Sequence, residues 1–337
     1  MPSNIVATLI KSAREHFTDR KDWAETDYYR VHLERVSNGE KWRGCKNKEE
    51  LDVYFSRFDR LYERIKKEGY KLQTEILDAE FAGTAAAENE IAVHIDRDGR
   101  YIFCNGAHRL SIALVLGIER IPVKVCIRHA KWQTFCLNVS AHAKDNNGKV
   151  YQPITHPDLS HIPSAHDEKR FAIIQSHLPQ SKGRILDIGA NWGYFCHRFE
   201  EVGFDCWAVE FDPENQYFLN KLKIAQDRKF RVIAQSILDF HEDSHFEVVF
   251  ALNIFHHFLK SKEDYFALIN FLQRINMSLM IFEPHHTSEP QMKGAYRNFE
   301  PDDFVQFVIK HSGFSHYELI GKAEDDRPIY KLWSQHS

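Results

Sequence analysis

The chain has 337 residues, 43% of them hydrophobic and 27% charged, with a formal net charge of −4. That length allows two domains, and the balance is that of a soluble globular protein. The negative charge argues against a mainly electrostatic nucleic-acid binder, and no apolar stretch approaches the ~18 residues of a membrane span.

Ser3 to Lys11 reads as a capped helix, whose charges at Lys11, Arg14 and Glu15 come too soon for a signal peptide. Phe55, Phe58, Leu61, Tyr62 and Ile65 recur at helical spacing, so 55–68 is a predicted helix. Ile91 to Asp96 alternates as a strand, Asp98-Gly99 makes a turn, and Tyr101 to Cys104 returns as a second strand. A helix over Leu110–Leu116 follows, stopped by Gly117, and Ile121 to Ile127 is another strand. Residues 1–145 thus form a first domain. A turn cluster at 144–148 and the prolines 153, 157 and 163 mark residues 146–168 as a linker. The second domain is 169–337. Cys104, Cys126, Cys196 and Cys206 lie in or beside apolar runs, as core thiols do, and no C-x-x-C pair occurs. This suits a reducing compartment, and the expected location is the cytoplasm.

In the first domain, Asn105-Gly106-Ala107-His108-Arg109 opens a helix. A glycine there admits close approach, the helix N-terminus offers N–H groups, and Arg109 can fork onto a phosphate. The series Gly-x-His-Arg, helix, Leu-Gly, Ile-Pro-Val resembles the ParB/sulfiredoxin-like fold, a small α+β domain. The resemblance implies that Asn105, Gly106, His108 and Arg109 handle nucleotide phosphates, with ATP, ADP or CTP and Mg2+ as candidate ligands. Sulfiredoxin chemistry would need a cysteine where Ala107 stands. The alternative for Arg109 is a structural role, pairing with Glu75 or Asp78. No Walker-type G-x-x-x-x-G-K-[ST] is present.

In the second domain, Arg184-Ile-Leu-Asp187-Ile-Gly189-Ala190-Asn191-Trp-Gly193 reads as a buried strand, a glycine turn and a helix over 194–202. The next strand, Cys206 to Val209, ends on Glu210, about where a carboxylate takes two ribose hydroxyls, roughly 20 residues on. Asn191 occupies a place where glycine is usual, and Asn tolerates the left-handed region. Asp187 would repel a pyrophosphate but suits a cationic amino-acid tail, which favours S-adenosylmethionine over a dinucleotide. Residues from about 170 to 334 resemble class I SAM-dependent methyltransferases. The resemblance implies a Rossmann-like, seven-stranded α/β sheet. It gives the amino-acid end of the cofactor to Asp187 and its loop, Gly189, Ala190, Asn191 and Gly193, and the ribose to Glu210, with Phe211 beside it as a further cofactor contact. Ser236 and Ile237 would meet the adenine, and Asn253 ends the fourth strand beside it.

His256 and His257 follow the fourth strand, and His285 and His286 follow the fifth, where a general base or an anion-holding group is expected. Their spacing matches no standard zinc pattern. Lys293, Tyr296 and Arg297 add two cations and a phenol, read as neutralising an anionic acceptor. Phe282-Glu-Pro-His, the Tyr-Arg segment, 312–321 and 327–331 resemble the methyltransferases that cap RNA 5′ phosphates. They are also similar to the methyltransferase half of the bifunctional kinase–methyltransferases that terminate bacterial O-antigen chains. This implies O-methylation of a phosphate on a small molecule, a glycan or an RNA end, with a first domain that binds a nucleotide or acts as the kinase. Two alternatives stay open: a tRNA base, sugar hydroxyl or metabolite as acceptor, or a SAM-responsive regulator that binds DNA or protein.

Overall fold

The computed structural model describes residues 4–72 and 90–334. Ser3, Glu75 and Asp78 fall outside them. The chain forms two compact units, 1–97 with 101–132, and 98–100 with 133–337. The division therefore falls at 132/133 rather than at the sequence boundary of 145.

The first unit holds helices α1 (Asn4–Phe17), α2 (Asp27–Ser37) and α3 (Lys48–Glu68). Strands β1 (Ala92–Ile95) and β2 (Tyr101–Asn105), helix α4 (Ala107–Val115) and strand β3 (Lys124–Arg128) complete it. α3 is the clearest case of sequence dictating structure. The Asn47 side chain accepts a hydrogen bond from Glu50 N at 2.9 Å, and Gly69 closes the helix at φ 78°. Between those caps Leu51, Phe55, Phe58, Tyr62 and Ile65 bury one stripe against Leu9, Trp23, Tyr29 and Ile112. β1 sits centrally, antiparallel to β2 and parallel to β3. α4 begins three residues earlier than expected because Gly106, at φ 91°, supplies the left-handed residue that starts it. A side chain there would put a Cβ 2.7 Å from the Ile91 Cα. Cys104 and Cys126 are exposed, against the expectation of core thiols, because β2 and β3 bury little of either face.

Helix α5 (Ala130–Asp145) crosses the division. Its buried residues Trp132, Phe135, Val139 and Ala143 keep helical spacing. The segment after it is no free linker. Val150 pairs with Ser164 through Val150 N to Pro163 O at 2.9 Å and Ala165 N to Val150 O at 2.8 Å. Ile154, Leu159 and Ile162 are buried beneath it.

The second unit then runs α6 (Lys169–His177), β4 (Arg184–Ile188), α7 (Tyr194–Glu201), β5 (Asp205–Val209), α8 (Pro213–Ala225) and β6 (Arg231–Ile233). It continues with β7 (Phe246–Leu252), α9 (Lys262–Arg274), β8 (Met277–Glu283), α10 (Pro301–Ser312), β9 (His316–Lys322) and β10 (Pro328–Trp333). The described strands make one sheet in the order β6-β5-β4-β7-β8-β10-β9. Neighbours from β6 to β8 pair in parallel, and β10 is antiparallel to both β8 and β9. Alternation sorts the strand residues to two cores. Leu186, Ile188, Val249 and Phe282 pack with α9 and α10, while Ile185, Val248, Phe250 and Ile281 pack with α6 and α7. Among the described residues no helix is long and apolar enough to cross a membrane.

An ion pair with both side chains fully buried lies inside this unit. Arg170 Nη2 is 2.9 Å from Glu283 Oε2, with the two side chains 1% and 0% exposed. Arg327 Nη1 approaches the other carboxylate oxygen at 3.6 Å. The contact is one of charge, since neither partner meets hydrogen-bond geometry. Removing one half leaves a charge with no water to solvate it. Glu283→Gln is expected to cost about 3–5 kcal/mol, and the double change Arg170→Met with Glu283→Leu to recover most of it. The denaturant midpoint of the second unit's transition is the measurement.

Candidate functional site

Strands β4, β5, β6 and β7 end side by side, and a cavity of about 690 Å³ opens over their carboxyl ends. That is where open α/β sheets bind ligands. Each strand contributes its following loop. Gly189 and Asn191 follow β4, Glu210, Phe211 and Asp212 follow β5, and 235–238 follow β6. Asn253, Ile254, His256 and His257 follow β7, while Tyr151, Asp264 and Gln291 close the wall.

The first loop is fixed by its backbone. Gly189 has φ 70°, and a Cβ there would lie 2.7 Å from the Ile254 side chain. Asn191 does take the left-handed conformation, at φ 52°. Asn215 Oδ1 holds the loop from below, accepting from Asn191 Nδ2 at 3.3 Å and Trp192 Nε1 at 3.2 Å. Glu210, 6% exposed, joins this loop to the next. Its Oε2 accepts from Asn191 N at 2.7 Å and its Oε1 from Asp212 N at 2.9 Å. Burial pushes the Glu210 pKa up, and these two N–H groups oppose the shift. Phe211 stands at the rim, 71% exposed. Ser236 caps a 3-10 turn, its Oγ accepting from Leu238 N at 3.2 Å, and Ile237 is buried behind it.

Asn253 also has a left-handed backbone, at φ 53°. Its N donates to Glu283 O at 2.8 Å and its Nδ2 to Tyr151 Oη at 3.5 Å, while its buried Oδ1 has no partner among the described residues. His256 is 2% exposed with neither ring nitrogen partnered among the described residues, and its ring lies 4.0 Å from that of His257. Burial, then His257 and His285, push the His256 pKa down to about 3. Partial burial and then Lys260 lower that of His257.

Several expected residues lie elsewhere. Asp187 is buried and receives the Cys196 Sγ–H at 3.7 Å rather than lining the cavity. The reason is strand alternation, which puts Asp187 on the Ile185 face, under α7. Burial, with Glu210 adding to it, pushes the Asp187 pKa up to about 7. Ala190 and Gly193 belong to the loop but also sit behind the lining, Gly193 at φ 82° starting α7. His285 is buried in a second layer, its Nε2 bonded to Asn298 Oδ1 at 2.8 Å. His286 Nε2 donates to Asp325 O at 3.0 Å. Lys293, Tyr296 and Arg297 are off the lining. Tyr296 N donates to Lys260 O and Arg297 N to Leu259 O, and the Arg297 guanidinium lies 4.8 Å from the centre of the Tyr296 ring.

In the first unit the phosphate-type residues turn inward. Arg109 is 3% exposed; its Nε donates to Tyr70 Oη at 3.0 Å and its Nη2 to Lys71 O. His108 Nε2 bonds Tyr54 Oη at 3.1 Å, and burial pushes its pKa down to about 3. Asn105 is exposed at the end of β2. The cause is geometric: α4 packs on α1, so consecutive residues of its first turn cannot both face solvent. The sequence reading missed Tyr151, Asp264 and Gln291. Tyr151 had no signal beyond its place in a proline-rich segment.

A family model for a methyltransferase domain matches residues 165–300. A tRNA U34 carboxymethyltransferase of Sulfurimonas denitrificans is 28% identical over 97 residues, which are 26% of this chain and 30% of that protein. The chain thus spans under a third of that relative's length. The bifunctional kinase-methyltransferase WbdD is 21% identical with a TM-score of 0.48, over 58% of this chain and 46% of that one. A SAM-dependent methyltransferase from Archaeoglobus fulgidus is 15% identical with a TM-score of 0.37, over 49% of this chain and 90% of that one. The second unit has the α/β fold of class I methyltransferases, built on a mixed sheet.

Asp187 gives the site a pH signature. Its folded pKa of about 7 lies above the ordinary 3.8, so the folded state binds the extra proton between those values. Stability from this group is complete below about pH 4 and falls as pH rises to about 7, by a few kcal/mol at most. Asp187→Asn is expected to flatten that slope in urea unfolding followed from pH 4 to 8.

Proposed function

We propose that the chain, an S-adenosylmethionine-dependent methyltransferase, methylates an oxygen of a phosphate or other anionic acceptor. The observation that carries the cofactor half is one cavity bounded by the Gly189 loop, Glu210 and Ser236-Ile237 on one side and His256-His257 on the other. The residues present fit the cofactor. Gly189 leaves room that a side chain would close, Glu210 can take hydroxyl hydrogens on lone pairs its two N–H partners leave free, and Asn253 Oδ1 is a buried acceptor in want of a donor. Phe211 and Ile237 would flank the heterocycle.

When bound, the cofactor supplies a methyl group on a sulfonium sulfur, which keeps the bonding pair as the acceptor oxygen bonds the carbon. The protein's part is placement. An anionic oxygen is already nucleophilic at pH 7, so no strong base is required, and orientation and charge complementarity supply most of the catalysis. With a pKa of about 3, His256 is neutral there and serves as a hydrogen-bonding wall.

A second reading, a neutral acceptor such as a tRNA base or sugar hydroxyl, draws support from the cavity's acidic lining: Glu210, Asp212 and Asp264 reach it and no arginine or lysine does. The segmental likeness to a tRNA-modifying enzyme points the same way. For the first unit we favour recognition of a nucleotide or phosphorylated acceptor by a ParB/sulfiredoxin-like fold. Gly106 before α4 supports it, whereas the inward Arg109 weighs against the kinase version with ATP and Mg2+. A cytoplasmic location goes with this reading.

Two measurements test it. Calorimetry is expected to show S-adenosylhomocysteine binding that Glu210→Gln weakens about 10- to 100-fold. Labelled methyl transfer into cell-extract fractions is expected to disappear after phosphatase treatment of the fractions. Labelling that survives phosphatase favours the neutral acceptor, and cofactor binding with no transfer to any fraction favours a SAM-responsive regulator.

A further inference from the structure

We propose that Lys260, which meets the cavity through its lining residues His257 and Gln291, receives with them the anionic oxygen of the acceptor, a phosphate or a carboxylate; this rests on the methyltransferase reading above. Lys260 follows the 3-10 turn Phe255–Leu259, and its Nζ lies 3.4 Å from His257 Nδ1 and 3.3 Å from Gln291 Oε1. Both of those residues line the cavity. An ammonium carries three N–H groups, so one remains when these two are made. Both partners are neutral, which leaves the charge without a direct counter-ion among the described residues. Glu289, an acid of this cluster, is committed to Gln291 Nε2 at 2.6 Å, His286 N at 3.0 Å and Arg327 Nε at 3.5 Å. Asp264 is taken up by the cap of α9, accepting from Ser261 Oγ at 2.9 Å.

The same contact sets the histidine. Because Nδ1 of His257 accepts from Lys260, the neutral ring carries its hydrogen on Nε2. Lys260 and His257 therefore both present donors. Beside them His256 is 2% exposed with both ring nitrogens lacking partners among the described residues, so this wall has hydrogen-bonding capacity that those residues leave unused. Donors grouped around one uncompensated cation match an oxyanion. Lys293, Arg297 and Lys260 are all off the lining, but of the three Lys260 is bonded to two residues that form it, His257 and Gln291.

The test uses the full chain with S-adenosylhomocysteine bound. Inorganic phosphate and, in a separate arm, acetate are titrated by calorimetry, with the 31P line width of phosphate as a second readout. The wild type is expected to bind one of the two anions, and which one names the acceptor group. Lys260→Gln is expected to weaken that binding about tenfold or more, whereas Lys260→Arg stays within about threefold and Arg297→Ala matches the wild type. All variants are expected to keep the S-adenosylhomocysteine affinity, which also reports that they are folded. Anion binding unchanged in Lys260→Gln, or no binding of either anion to the wild type, overturns the proposal. Failure of the wild type to bind S-adenosylhomocysteine overturns instead the reading beneath it.

Discussion

The site hangs on one carboxylate. Glu210 ends the run of β5 and takes a backbone N–H on each oxygen, one from the loop after β4 and one from its own. A carboxylate held by amide hydrogens in a half-dry setting is a strong joint between the two loops. It also explains why Asn191 can sit at positive φ without a glycine. Its N–H is bonded to a charge, and its side chain is bonded to Asn215, so the cost of the left-handed backbone is offset twice. The floor of the cavity is therefore set before any ligand enters.

Below that floor the unit is held by charge placed where water cannot reach. The Arg170–Glu283 contact ties the first helix of the unit to the end of β8, and Asn253 N reaches the Glu283 carbonyl from the neighbouring strand. A pair of this kind contributes little net stability compared with a well-packed apolar replacement. What it does provide is position. Glu283 is one residue before Pro284 and two before His285, so its fixed place fixes where the chain leaves the sheet.

How much of this could be read from the sequence depended on whether a residue's neighbours were local. The strand–glycine–helix order, the acidic end at Glu210 and the histidines after β7 follow from hydrophobic runs and turn chemistry, and the cavity does gather Gly189, Asn191, Glu210 and His256-His257. The type of Asp187 suggests a ligand, whereas the pleat directs its side chain under α7, off the cavity lining. The placement of Tyr296 and Arg297 rests on backbone bonds to residues 260 and 259, a tertiary contact that no local pattern announces. Tyr151 belongs to an irregular segment and Gln291 to a three-residue 3-10 turn, Pro290–Met292, both too short for a periodic signal. Arg109 and His108 carried a familiar pattern, but helix packing turned them toward the core.

Phe211 has a consequence of its own. A phenyl ring left 71% exposed at the lip of a cavity is apolar surface kept in water by its backbone. A flat ligand that covers it removes hydrated hydrocarbon from solvent, and the signature of that event is a negative heat-capacity change on binding. Affinity at this lip is therefore curved in temperature: the enthalpy of occupancy grows more favourable on warming, while the entropic share shrinks.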